Sequence, residues 1–173
     1  VNVTLVFAID QYENVANAYI DGLEQAAKNG IDLSRVASVA SFFVSRLDTA
    51  IDKQLDERIA QAAPADRTKL EQLRGKAAIA NAKQAYSAYR RIFGGARFSA
   101  LRGAQPQRVL WASTGTKNPT YSDTLYVDEL IGPDTVNTVP PATLAAFQDH
   151  GAPARTVDRD LPAADQVISD LAA

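Results

Sequence analysis

Four short runs of the chain are apolar almost without interruption. They are residues 1–7 (VNVTLVF), 35–45 (RVASVASFFVS), 108–112 (RVLWA) and 134–140 (DTVNTVP). β-branched residues are frequent in them, and polar positions do not alternate regularly with apolar ones. Such runs predict strands covered on both faces, as in a parallel sheet. Between them the period lengthens to that of a helix. Tyr12, Val15, Ala16, Tyr19, Ile20 and Leu23 fall on one face after the capping residue Asp10, and Asn29-Gly30 stops the run. This predicts a helix over 11–28. A second helix is expected over 46–63, closing before Pro64. The Ala-, Lys-, Gln- and Leu-rich stretch that follows predicts one long helix over 65–93, ended by Gly94-Gly95. A short helical piece is expected at 96–102 and a single turn within 119–132. A helix beginning at Pro141 has Gly151 past its end. A last helix is expected at about 161–171.

Strands that alternate with helices define an α/β chain. A barrel of eight such units usually needs about 250 residues. Four strands in 173 residues make half of one. In that architecture chemistry sits at the C-terminal ends of the strands. The polar residues there are Asn2 and Thr4; Ser38, Ser41, Ser45 and Arg46; Ser113, Thr116 and Lys117; and Asn137 and Thr138. Arg46 and Lys117 fall at equivalent places after two strands. Two cations on one rim suit a phosphate dianion, with hydroxyls and backbone N–H groups completing the cradle.

Plainer roles compete with these. Arg46 stands near Asp48 and Asp52, which offers a surface ion pair. Lys117 also reads as a solvated loop lysine, or as an amine nucleophile. A Schiff-base lysine must be desolvated to lower its pKa. Lys117 lies five residues beyond the apolar run, among hydroxyls and a glycine, so a fixed cation is the better reading. Thr4 reads also as a core filler. Asn2 is harder to dismiss, because an amide buried in a strand needs partners. His150 reads as a solvated residue favoured by a helix C-terminus.

Composition narrows the chemistry further. The chain has no cysteine and one histidine, which excludes thiolate catalysis, disulfides and multi-histidine metal sites. Its net charge of −2 gives no basic surface for nucleic acid. No apolar run approaches the roughly 20 residues that cross a bilayer. TGTK lacks the spacing of a phosphate-binding Walker loop.

Four motifs in order, NVTLVFAIDQY, SVASFFVSRLDTAID, RGKAAIANAKQAY and the long run LWASTGTKNPTYSDTLYVDELIGPDTVNTVPPATLAAFQDHG, resemble transaldolase. The likeness is to the bacterial branch with a longer helical insertion, which also occurs fused to glucose-6-phosphate isomerase. It covers about residues 1–151, with 152–173 as a helical tail. The resemblance implies strands five to eight of a (β/α)8 TIM barrel. It also implies a transferase that moves a dihydroxyacetone unit between sugar phosphates of the pentose phosphate pathway, with no cofactor and no metal. In that family a lysine forms a Schiff base, while an Asp and a Glu handle protons. All three would lie upstream of this chain, so the chain alone is expected to be inactive. By the same likeness Thr4 holds a catalytic water. Asn2, Ser41, Phe43 and Ser113 line the substrate pocket. Arg46 binds the substrate phosphate, and Lys117 stands where a second phosphate-binding arginine occurs. The expected partners are fructose 6-phosphate, sedoheptulose 7-phosphate, erythrose 4-phosphate and glyceraldehyde 3-phosphate. The missing N-terminal half, or self-association through open sheet edges, is a further expected partner, while nucleic acid and membrane are not. A cytoplasmic location is expected. Two alternatives remain: half of a fructose-6-phosphate-type aldolase, and a sugar-phosphate-binding half barrel without catalysis.

Overall fold

A computed structural model describes residues 2 to 172. Residues 1 and 173, at the ends of the first expected strand and of the tail, lie outside the described residues.

The four strands are β1 (Val3–Val6), β2 (Val39–Phe43), β3 (Arg108–Ala112) and β4 (Val136–Asn137). They form one parallel sheet in the order β1-β2-β3-β4. Helix α1 (Ile9–Lys28) joins β1 to β2, and α2 (Ser45–Gln61) begins two residues after β2. Then come α3 (Pro64–Glu71), α4 (Ala77–Phe93) and the single turn α5 (Ala96–Ser99), which lead into β3. The turn α6 (Leu125–Asp128) lies between β3 and β4, and α7 (Pro141–His150) and α8 (Leu161–Ala172) end the chain.

One face of the sheet carries the core. Ala40, Phe42, Val109 and Trp111 point to it and pack on Tyr12, Ala16 and Ile20 of α1 and on Ala82, Ala85, Tyr86 and Tyr89 of α4. Because side chains alternate along a strand, Ser41 and Phe43 lie on the other face. The expectation that the strands are covered on both faces is therefore corrected. Thr4 is exposed and Leu5 is 60% exposed. β1 pairs only with β2, and its register slips between Val3 and Val6 where Leu5 takes φ +65°. Among the described residues nothing covers the outer face of β1 at Thr4 and Leu5.

Other differences are local. The second strand begins at Val39, after a 3-10 turn at Leu33–Arg35, and ends before Ser45, which opens α2. The fourth is only two residues long, because pairing with β3 stops at Asn137. The short piece after Gly95 stops at Ser99, three residues before the expected end. Helix α1 starts at Ile9, two residues before the expected start. Its N-cap is Ala8, and Gln11 Oε1 accepts from the N–H groups of Phe7 and Ala8. The helix expected over 65–93 is two helices. Gly75 takes φ +69°, a left-handed conformation that interrupts helix and suits glycine, and its N–H donates to Asp52. α4 is alanine-rich because it is crowded: its side chains meet the sheet, α1, α2 and α8, and small residues let the backbones approach. Among the described residues no helix is long and apolar enough to cross a membrane.

Candidate functional site at the strand ends

The C-terminal ends of β2, β3 and β4 are stitched together beyond the ladder. Val44 N–H donates to Ala112 O at 3.0 Å and Ser45 N–H to Ser113 O at 3.0 Å. The hydroxyls of Ser45 and Ser113 bond at 2.9 Å. Thr114 Oγ1 donates to Asn137 Oδ1 at 2.7 Å, and Thr138 N–H reaches Trp111 O. Ser113 takes φ +58°, which turns the chain sharply at the end of β3. The result is a rigid rim of hydroxyls at the strand ends.

Arg46 is the second residue of α2 and stands on that rim. Its guanidinium carbon lies 5.0 Å from the centroid of the Phe43 ring. Phe43 in turn packs on Phe7, with centroids 5.1 Å apart. The surface ion pair open to Arg46 does not form: among the described residues no carboxylate lies within salt-bridge distance of it. The reason is that both nearby acids face inward. Asp48 is buried and accepts from Ala78 N–H at 2.7 Å and from the Tyr126 hydroxyl at 2.8 Å. Asp52 accepts from Gly75 N–H at 3.0 Å and from the Tyr121 hydroxyl at 2.8 Å. Burial raises the Asp48 carboxyl above its ordinary value, and the two hydrogen bonds only partly counter this. Burial, with the bond to Asp52, pushes the Tyr121 phenol up to about 12.

The remaining expected residues are dispersed. Ser41 sits within β2, opposite Leu110 of β3, with little exposure. Ser113 is half-buried and engaged with Ser45. Asn2 is not buried: it precedes β1, is exposed, and its Oδ1 accepts from Val39 N–H at 3.2 Å, so the amide extends the edge of the sheet. Thr4 stands exposed on β1 and is not a core filler. Lys117 is exposed and lines a cavity of about 240 Å³ with Thr49, Asp52, Lys53, Arg74 and Tyr121. Arg46 does not line that cavity. His150 is more than a solvated residue, since Nε2 bonds to Asp123 at 2.8 Å and Nδ1 to Asp149 at 3.1 Å, and these bonds raise its pKa.

The aspartate–tyrosine pairs escaped the sequence reading. Their signal was present: Asp48 and Asp52 are one helical turn apart, and Tyr121 lies five residues before Tyr126 of α6. Ser45 was visible, but its hydroxyl partner was not. Among the described residues no group of three His, Cys, Asp or Glu side chains could hold a metal ion.

A parallel α/β sheet with a hydroxyl rim and a guanidinium without a carboxylate partner at its C-terminal edge defines an α/β protein of the parallel-sheet class. The particular family follows from comparison. The model of the transaldolase/fructose-6-phosphate aldolase family matches residues 1–173. A transaldolase of Saccharopolyspora erythraea is 58% identical over 152 residues, covering 87% of this chain and 39% of that protein. Transaldolases of Trichodesmium erythraeum and Mycolicibacterium paratuberculosis are 50% and 52% identical, covering 99% and 100% of this chain and 46% of each relative. The chain belongs to the transaldolase/fructose-6-phosphate aldolase family. It spans less than half the length of these curated relatives.

Proposed function

We propose that this chain is the C-terminal part of a transaldolase, strands five to eight of a (β/α)8 barrel, and that it supplies the phosphate-binding side of the active site. The observation that carries this reading is Arg46: a cation without a carboxylate partner, standing over an aromatic ring at the rim of a parallel sheet. The relatives named transaldolase favour transfer of a dihydroxyacetone unit over simple aldol cleavage.

In this reading Arg46 grips the sugar phosphate and Lys117 adds a second, weaker cation. Ser41, Phe43, Ser113 and Asn2 line the pocket, and Thr4 orders a water. The Schiff-base lysine and the proton-handling Asp and Glu come from the N-terminal half. That half also covers the open face of the sheet and pairs with β1 and β4. Without it the chain catalyses nothing, and its bare edges favour self-association. The enzyme works in the cytoplasm, without a cofactor.

Phosphorus NMR titration of fructose 6-phosphate tests the binding role. Arg46→Ala should weaken binding by about tenfold to a hundredfold, the loss of charge-assisted bonds to one guanidinium. The melting temperature should stay close to that of the unaltered chain. Unchanged binding in Arg46→Ala would sink the reading. Mixing the chain with an N-terminal half and trapping the adduct with borohydride tests the catalytic role. The adduct should form on the added half.

A further inference from the structure

Phe43 and Phe7 belong together in a way that packing alone does not explain. Neither ring is part of the buried core cluster. Both follow core residues, Phe42 and Val6, and so lie on the opposite, open face of the sheet. Both also stand at the C-terminal ends of their strands, β2 and β1. They contact each other with centroids 5.1 Å apart and an interplanar angle of 32°. Arg46 crosses over the outer ring of this pair, 5.0 Å from its centroid.

An arginine has many rotamers, and an exposed one near a helix start has no reason to choose one of them. The usual restraint is an ion pair, but here both nearby acids are turned inward to Ala78, Tyr126, Gly75 and Tyr121. The ring face is the restraint that remains. A cation within about 6 Å of an aromatic centroid is attracted to the ring without losing its hydrogen-bond donors. The donors of a planar guanidinium point outward from its edge, so a ring beside the group leaves them available.

We propose that Phe43 is a positioning residue for Arg46. Its ring, backed by Phe7, holds the guanidinium over the open face of the sheet, with its donors free for the phosphate of a sugar phosphate. This inference rests on the reading of Arg46 as the phosphate ligand. Phe43 acts through Arg46 and need not touch the phosphate. Asn81 Nδ2, donating to Phe7 O at 2.8 Å, ties the backing ring's backbone to α4 and keeps the stack in place.

The test uses the 173-residue chain with two probes, fructose 6-phosphate and fructose, followed by NMR. Phe43→Leu should weaken fructose 6-phosphate binding by about threefold to tenfold, the range of one cation–π contact. Phe43→Tyr, which keeps a ring, should restore most of it. In the free chain, Phe43→Leu should also move the Arg46 side-chain resonances toward random-coil positions, since the ring current is gone, and Phe43→Tyr should not. Phe7→Leu leaves the Arg46 contact in place and should give a smaller loss of the same kind. Circular dichroism melting checks that each variant folds. If Arg46→Ala weakens binding and Phe43→Leu does not, the positioning role is overturned while the phosphate role stands. If Arg46→Ala leaves binding unchanged, or the unaltered chain discriminates nothing between the two sugars, the phosphate role falls and the positioning role with it. Arg46 resonances that ignore the ring in Phe43→Leu overturn the positioning role by themselves.

Discussion

Helix α2 carries two kinds of charge within two turns of each other. Asp48 and Asp52 are buried, and each oxygen named above has its donor: a backbone N–H on one side, a tyrosine hydroxyl on the other. Arg46 is exposed, has no carboxylate, and rests on a ring. The acids look inward and clamp α2 to the start of α4, to Tyr121 and to Tyr126 of α6. The arginine looks out over the open face. Fully partnered polar groups hold a fold together, because leaving one donor unmet in the interior costs free energy. A charge left without a partner contributes little to stability and is free to meet a ligand. On one helix the inward acids are fully partnered, while the outward guanidinium is left accessible.

The sharpest way to break this comparison is at Asp48. Asp48→Ala strands two buried donors, Ala78 N–H and the Tyr126 hydroxyl, and should lower stability by about 3 kcal/mol. Chemical denaturation measures it, and a loss comparable to that of Arg46→Ala would erase the distinction. Gly75→Ala attacks the same clamp from its other end. It forces a side chain into φ +69°, and its Cβ would lie 2.8 Å from the Tyr121 ring. A loss of about 1–2 kcal/mol is expected, together with a change in Tyr121 fluorescence or absorbance as its bond to Asp52 opens.

The smallest effect is in alkali. The Tyr121 phenol, titrating near 10.0 when unfolded, is pushed up to about 12 by burial and by Asp52. Tyr89 is likewise raised to about 12, first by burial. Above pH 10 the unfolded chain therefore holds fewer protons than the folded one, so stability falls as pH rises. The contribution is fully present below pH 10 and is lost as pH passes through 12. Tyrosinate absorbance followed during denaturation checks this, and Tyr121→Phe should flatten the slope. An alkaline stability that is constant or rising would contradict the clamp.

The legible part of the molecule was the part governed by local pattern. β3 appears over the expected residues 108–112, and α7 begins at Pro141 with Gly151 beyond it, because both depend on neighbours in sequence. The long helix over 65–93 was misread at Gly75. Its composition favours helix on both sides of Gly75, and the glycine takes the left-handed turn with its N–H held by Asp52. Arg46 was legible as a candidate from its place after a strand. Its freedom from Asp48 and Asp52 was not, since acids on the same helix look like ion-pair partners until their buried donors are seen. Asn2 carried the opposite error. A polar residue beside an apolar run suggests a buried amide, yet it lies at an edge, bonded to Val39.

The sequence by itself determined the alternation of strand and helix and the parallel class of the sheet. Apolar period and turn residues are local quantities, and a single chain states them directly. Only the tertiary structure decided which face of the sheet is covered, which charges are spent on each other, and where Arg46 rests. Those depend on groups such as Tyr126 and Asp48, 78 residues apart. Burial and pairing are properties of packing, and no stretch of sequence contains both partners.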